Sequence, residues 1–160
     1  MIKINHDLVK GISQDAKMND RKRKNFNFHP AATDPMHRMI HASNPGTYVQ
    51  PHKHESPDKT EAFIILKGKV VLIEFDDNGN IIDHFIMQAN TANYGVEIPP
   101  RTWHMLITLQ ENSLFYEVKN GPWDLADDKF FAPWSPAEGD PDCKNYISSI
   151  LKELHLYQNK

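Results

Sequence analysis

The chain has 160 residues, of which 39% are apolar, and its 18 basic and 21 acidic side chains give a net charge of −3. This balance excludes the basic surface typical of proteins that bind nucleic acid or anionic membranes. No apolar run approaches the ~20 residues that span a bilayer, and the first residues lack the uninterrupted apolar segment of a secretory signal. We therefore expect a cytoplasmic protein in which residues 1–160 form one domain, since domains commonly contain about 100–200 residues.

Residues 1–35 predict a short helix followed by an extended arm. Apolar residues recur at helical spacing between Asn5 and Met18, and Asn5 is suited to cap the helix. The residues that follow have no periodicity and contain two prolines. The segment Asn25–His29 is therefore predicted to cross the domain as an arm whose two phenylalanines are buried.

Residues 36–120 form the predicted core, in which short apolar runs alternate with turns. The predicted strands are Met36–Ala42, Thr47–His52, Glu61–Leu66, Lys69–Phe75, Ile81–Met87, Tyr94–Ile98, Trp103–Thr108 and Leu114–Lys119. Lys67 and Gly68 join two apolar runs and predict a tight hairpin, while Asp76–Gly79 predicts a second turn. Short, evenly spaced strands without intervening helices indicate an all-β fold, an antiparallel sandwich or barrel such as a double-sheet jelly roll.

Residues 121–160 predict a wrapping segment with aromatic anchors and then a helix. From Pro141 onward the apolar residues at helical spacing are Tyr146, Ile147, Ile150, Leu151, Leu154 and Tyr157. We expect this stripe to lie against the barrel or against a second subunit. The single cysteine, Cys143, lies among polar residues, which suits an inert, partly exposed thiol.

Three histidines and one glutamate form a candidate metal site. His52 and His54 are one residue apart in a predicted strand, so their side chains point to the same side of the sheet. Glu61 opens the next apolar run and could arrive beside them if that run pairs back. His104 begins a strand after a proline turn, which would bring its imidazole over the mouth of the barrel. Such a set suits one divalent metal ion, and donors without thiolate admit zinc, iron, manganese, nickel or copper.

Each of these donors also has a simpler interpretation. His52 and His54 could be exposed in a loop that contains prolines, and His104 could be a core histidine. Glu61 could be a solvated charge at a strand edge, paired with a lysine such as Lys59. The metal interpretation gains its weight from the combination of all four residues.

A small-molecule pocket is predicted next to the metal site. Tyr48 and Gln50 share alternation parity with His52, so both should face the barrel interior and bind substrate beneath the metal. His29 could fold over the pocket with its arm, or it could form a hydrogen bond that fixes the arm. Arg38 could provide a cation for a phosphate or carboxylate group.

Other polar residues have weaker signals. His37 and His41 are expected at the surface or at a sheet edge, because their spacing of four has no meaning on a strand. Glu117 and Lys119 could supply an acid or a cation to a ligand, or form an exposed ion pair. The histidines expected to face solvent are His6, His84 and His155.

Two stretches resemble the metal-binding motifs of the cupin superfamily. Gly46, His52, His54, Glu61 and Gly68 match the first motif, although the six residues before Glu61 make a longer gap than is usual. The second motif matches Pro99-x-Arg101-x-x-His104, in which an arginine stands where glycine is usual. The resemblance implies a cupin jelly roll with these histidines and the glutamate as metal ligands.

A narrower resemblance is to the WbuC family of cupin-fold metalloproteins. It depends on a combination of segments from Arg21 to Glu138: Asn25–His29, Tyr48–His54, Gly95–Pro99, Trp103-His104, Glu117–Pro122 and Phe131–Pro136. The resemblance implies a bound metal, a place in bacterial surface-polysaccharide metabolism and a homodimer.

Three functions follow as hypotheses. The first is a metal-dependent enzyme of the isomerase, lyase or oxygenase type that acts on a small polar metabolite such as a sugar derivative. The second is a module that binds or senses a metal and a sugar without transforming it. The third is a structural metal that stabilises the jelly roll.

Overall fold

The computed structural model describes residues 1–124 and 128–156. Two helices, α1 (His6–Met18) and α2 (Cys143–Glu153), flank the strands. The strands are β1 (Arg23–Asn27), β2 (Met36–Ser43), β3 (His52–Lys53), β4 (Glu61–Lys67), β5 (Lys69–Phe75), β6 (Ile81–Gln88), β7 (Gly95–Ile98), β8 (Trp103–Thr108), β9 (Ser113–Asn120) and β10 (Phe130–Phe131). No helix among these residues has the length and apolar character needed to cross a membrane.

The strands form two antiparallel sheets, which confirms the predicted double-sheet architecture. Sheet A has the order β1-β2-β9-β4-β7, and sheet B has the order β10-β3-β8-β5-β6. The hairpin between β5 and β6 turns at Gly79, whose φ of 86° suits a glycine in a tight turn. Inward side chains of both sheets enclose one apolar cluster: Phe63, Ile65, Val70, Leu72, Met87, Ile98 and Phe115.

The predicted hairpin at Lys67-Gly68 is wrong. β4 pairs with β7 and β9 in sheet A, whereas β5 pairs with β6 and β8 in sheet B, so the chain changes sheets at this corner. A Cβ atom on Gly68 would lie 2.3 Å from Ser113 Oγ, and its φ is 79°. Glycine is therefore required here by both the close approach and the backbone conformation. Likewise β4 does not pair back against β3, so Glu61 reaches the histidines from the opposite sheet.

The predicted strand Thr47–His52 is reduced to its last residue plus Lys53. Pro51 has no N–H to donate to a ladder, which accounts for the late start of β3. The preceding backbone is held by side chains instead: Arg23 Nη1 donates to Tyr48 O at 2.6 Å, and Thr47 Oγ1 donates to Arg21 O at 2.9 Å.

The predicted helix is present as α1, which packs on the outer face of sheet A. Asn5 Oδ1 accepts from Leu8 N at 3.1 Å, a cap that contributes about 1 kcal/mol to a helix of this kind. Ile12 and Ala16 are buried against the sheet, where Phe26 and Phe28 of the arm also pack. The arm pairs with β2 and so forms the first strand of the sheet.

Helix α2 covers the outer face of sheet B through Ile147 and Ile150, so the predicted stripe packs against its own barrel. Tyr157, the last residue of that stripe, lies outside the described residues. The expectation of a partly exposed thiol is wrong, because Cys143 is buried in this cluster and its Sγ donates to Ala137 O at 3.2 Å. The first turn of an amphipathic helix buries its inward residue whatever the polarity of its neighbours.

Candidate metal centre

The four predicted donors meet at one end of the barrel, between the two sheets. His52 lies on β3 directly opposite His104 on β8, and His54 follows β3. Glu61 is the first residue of β4 in the other sheet. Strand pairing within sheet B thus brings His52 and His104 together, and the packing of sheet A on sheet B adds Glu61.

The donor group, defined as His52, His54, Glu61 and His104, is compact and shielded from solvent. One donor atom from each residue can be chosen so that all four lie within 4.8 Å of one another. The exposed fractions are only 2–5%. Glu61 Oε1 lies 2.6 Å from His104 Nε2 and 3.4 Å from His54 Nε2.

Backbone carbonyls fix the tautomer of each imidazole. His52 Nδ1 donates to Gln50 O at 2.9 Å, His104 Nδ1 donates to Thr102 O at 2.8 Å, and His54 Nδ1 donates to Asp128 O. A carbonyl oxygen can only accept, so each Nδ1 carries the proton and each neutral ring presents the Nε2 lone pair. Metal-binding histidines commonly have this arrangement, because it orients the ring and raises its basicity.

Without a cation, several donor atoms of this group lack a hydrogen-bond partner. Within residues 1–124 and 128–156, His54 Nε2, His104 Nε2 and Glu61 Oε1 are buried without a hydrogen-bond partner. Their lone pairs converge on the same small volume, and buried polar atoms are normally paired. Imidazole nitrogens and a carboxylate oxygen are good ligands for a first-row divalent ion, so these residues fit and could hold one.

Electrostatic interactions also favour the protonation states in which these side chains can bind a metal ion. Burial lowers the pKa of His52 well below its ordinary value, and the charge of Lys129 lowers it further, so this imidazole is neutral. A neutral imidazole and an ionised carboxylate are the forms that bind metal.

A buried network of charged residues, formed by Asp128, Lys59 and Lys119, lies next to the donor group. Asp128 Oδ1 accepts from Lys59 Nζ at 2.9 Å, and its Oδ2 accepts from Lys119 Nζ at 2.8 Å. Burial lowers the pKa of Lys119, but the carboxylates of Glu117, Asp128 and Glu61 outweigh it and raise the pKa. Lys59 is therefore not the partner of Glu61, and Asp128 links this network to His54 through its backbone carbonyl.

Glu117 is held by a histidine inside the barrel. His41 Nε2 lies 2.7 Å from Glu117 Oε2, and the ring of His41 stacks on Phe115 at 5.0 Å. The prediction of a surface or edge position is wrong for His37, which is only 3% exposed, whereas His41 is half-buried. An exposed ion pair between Glu117 and Lys119 is also excluded, because both are buried.

Tyr48 lies outside the barrel, contrary to the prediction that it lines the pocket. Its ring packs in the cluster between sheet B and α2, and its hydroxyl donates to Pro136 O at 2.7 Å. Gln50 Nε2 donates to Ala132 O and Ser135 Oγ, both at 3.3 Å. Strand parity does not apply to either residue because the backbone before His52 is not a strand.

His29 and Arg38 lie at the far edge of sheet A. Arg38 N donates to His29 Nδ1 at 3.2 Å, and the ring of His29 stacks on His37 at 4.0 Å. The guanidinium of Arg38 pairs with Asp34 at 3.1 Å. These contacts tie the arm to β2, which is the simpler of the two roles considered for His29.

A cavity of about 160 Å³ opens beside the donor group and reaches His104. Leu72 and Ile98 form apolar parts of its wall. Its acidic lining residues are Glu74, Asp83 and Glu97. His84, predicted to face solvent, is exposed at its rim.

Sequence comparison finds one family model that matches the chain. The family model described as "Domain of unknown function (DUF6016)" matches residues 4–87, which include α1, the arm and the first three donors. No curated protein matches the chain.

Comparison of folds identifies solved structures with a similar barrel. The capsular polysaccharide assembling protein CapF from Staphylococcus aureus is 22% identical with a TM-score of 0.58, over 71% of this chain and 30% of that protein. Oxalate oxidase in complex with the substrate analogue glycolate is 16% identical with a TM-score of 0.54, over 87% of this chain and 68% of that one. The chain thus spans about a third of CapF. These likenesses and the sheet topology show a cupin double-sheet barrel.

Proposed function

Because this chain belongs to the DUF6016 family of domains of unknown function, we propose a function from its own site: a cupin-type metalloprotein that binds one divalent metal ion and acts on a small polar metabolite. The proposed ligands are His52, His54, Glu61 and His104. The observation that carries the proposal is the convergence of three buried acceptor atoms without a hydrogen-bond partner among the described residues. A cation resolves this convergence because every imidazole proton is already committed to a backbone carbonyl.

A divalent ion in this position would polarise a carbonyl group or lower the pKa of a bound water. Around it, the chain supplies orientation and proton transfer. The backbone carbonyls of Gln50, Thr102 and Asp128 orient the imidazoles. Glu117 is the proposed base that moves a proton, and His41, whose side chain is 22% exposed, connects it to solvent.

The proposed substrate is a sugar derivative of surface-polysaccharide metabolism, converted by an isomerase, lyase or oxygenase type of reaction. Support comes from the WbuC resemblance and from the capsular polysaccharide assembly named for CapF. The cavity beside His104 has a size suited to a small ligand. A cytoplasmic homodimer also remains a prediction, and light scattering after size-exclusion chromatography would test the dimer.

Elemental analysis of protein purified without added metal tests the site. We expect close to one equivalent of a divalent metal in the wild type and a large loss in His104→Ala. His84→Ala is the matched control, because His84 lines the same cavity but belongs to no donor group. A wild type that takes up none of zinc, manganese, iron(II) or nickel after dialysis would contradict the proposal.

Incubation with sugar derivatives separates an enzyme from a binding module. For an enzyme, we expect a ligand detected by calorimetry to be converted, and the conversion to be lost in His104→Ala. A ligand recovered unchanged after long incubation would instead identify a binding or sensing module. Equal turnover by metal-replete wild type and His104→Ala would overturn the proposed mechanism.

A further inference from the structure

Lys129 lies beside the donor group, between Asp128 and the first residue of β10. Phe131 lies opposite His52 in this ladder, and its ring centroid is 6.2 Å from the imidazole. The ring of Phe130 instead contacts Trp103, at 5.9 Å, on the outer face of the sheet. On the other side of Lys129, the backbone carbonyl of Asp128 accepts from His54 Nδ1, so the backbone of Lys129 lies between contacts to two of the metal donors.

The charges around Lys129 agree with this placement. Burial lowers the pKa of Lys129, the charge of Lys119 lowers it further, and the carboxylates of Glu61, Glu117 and Asp128 act in the opposite direction. Lys129 also contributes to the low pKa of His52. Its ammonium group is therefore an electrostatic neighbour of both the donor group and the network behind it.

The lysines and carboxylates on this side of the barrel balance before a metal binds. Among the described residues, the mutually interacting groups are the cations Lys59, Lys119 and Lys129 and the anions Glu61, Glu117 and Asp128. A divalent ion therefore adds two positive charges to a neutral, largely buried set. An uncompensated buried charge is unfavourable, so the loaded site favours an anion beside it.

The cavity on the other side of the donor group is lined by acidic rather than basic residues. Glu74, Asp83 and Glu97 line the cavity that reaches His104. Asp83 and Glu97 are exposed, where water and salt screen them. Glu74 is half-buried opposite His104 and can compensate at most one of the two charges that the ion adds. The negative charge of these three residues also disfavours an anion in that cavity, which leaves the Lys129 side as its binding position.

We propose that Lys129 binds a small oxyanion of the substrate, a carboxylate or a phosphate group, on its side of the donor group. The inference rests on the proposed function, because the positive excess exists only when the metal is bound. It assigns an anionic substrate class to the site, within which an acidic sugar or a sugar phosphate would fit.

Titrations of cobalt(II)-loaded protein, followed by visible absorption and calorimetry, test this inference. The probes are lactate, its neutral amide lactamide, and inorganic phosphate. We expect lactate or phosphate to bind at least about tenfold more tightly than lactamide, and Lys129→Met to weaken that binding by about tenfold. Lys129→Arg should retain it, because the charge is kept.

Lys53→Met is the matched control, because Lys53 lies opposite Phe130, the residue after Lys129, and its Nζ is over the outer-face ring of Trp103 at 4.6 Å. It should leave anion binding unchanged. Lys129→Gln provides a second neutral variant if Lys129→Met folds poorly.

Equal binding of lactate and lactamide, or unchanged binding in the neutral variants, would overturn the inference while the measured cobalt content upholds the metal site. Failure of the wild type to take up cobalt would overturn both. A preference for lactate over phosphate, or the reverse, identifies which oxyanion the site accepts.

Discussion

The barrel interior has two halves. The apolar half is the cluster that contains Phe63 and Phe115, and the charged half contains the donor group and the ion pairs of Asp128 with Lys59 and Lys119. On β4, Glu61 is followed two positions later by buried Phe63, and on β9, Glu117 is preceded by buried Phe115. The apolar half holds the sheets together by burial alone, which needs no cation. The charged half is satisfied only when each lysine, carboxylate and imidazole has its partner. A difference of one alternation step along a strand thus separates a half that stabilises the fold from a half that contains the candidate metal site.

Loss of a donor should produce the largest effect and should be confined to the charged half. In His104→Ala, we expect metal affinity to fall by more than the roughly 10–100-fold typical of losing an outer-shell partner, because a ligand itself is removed. Metal content after dialysis measures the loss. Circular dichroism should still report the folded sheets, and loss of the fold would show that the two halves are not separable.

Phe115→Ala should lower the stability of the apolar half without reducing metal binding. Removal of this buried ring leaves a cavity between the sheets and should lower the free energy of unfolding by about 3–5 kcal/mol. Urea denaturation in the presence of chelator measures the change. Metal bound per folded molecule should be unchanged, and a parallel loss of metal would contradict the separation.

Asp128→Asn should destabilise the charged half by about 3 kcal/mol, because it removes the carboxylate that binds the ammonium groups of both Lys59 and Lys119. The backbone carbonyl that accepts from His54 is retained. Asp34→Asn is the control, since its ion pair with Arg38 is partly exposed and should contribute less than about 1 kcal/mol. Equal effects of the two variants in urea denaturation would argue against a buried network.

The smallest effect concerns pH. Burial lowers the pKa of His37 from 6.5 in the folded state, so below that pH the unfolded chain binds more protons and stability falls as the pH falls. His37→Gln, which can still donate to Ala32 O, should give a shallower decline of the melting temperature between pH 7 and pH 5. The exposed control His84→Gln should follow the wild type. An unchanged slope in His37→Gln would refute the assignment.

Local sequence pattern predicted the strands and the donors well. The bounds of β5 and β8 match the predicted Lys69–Phe75 and Trp103–Thr108, and the four donors come together despite the long gap before Glu61. Alternation and turn residues are properties of consecutive residues, so they are visible in the sequence. The same rule failed for Tyr48, because parity has meaning only where the backbone is extended in a sheet.

What the sequence determined by itself was therefore the kind of element at most positions of residues 36–120 and the chemical identity of the candidate donors. Only the tertiary structure decided which sheet each strand joins, as at the Gly68 corner, and which charges meet inside. The pairing of Asp128 with Lys59 joins residues 69 positions apart. Such a contact has no local signature, because it depends on how the segment after β9 lies over the end of the barrel.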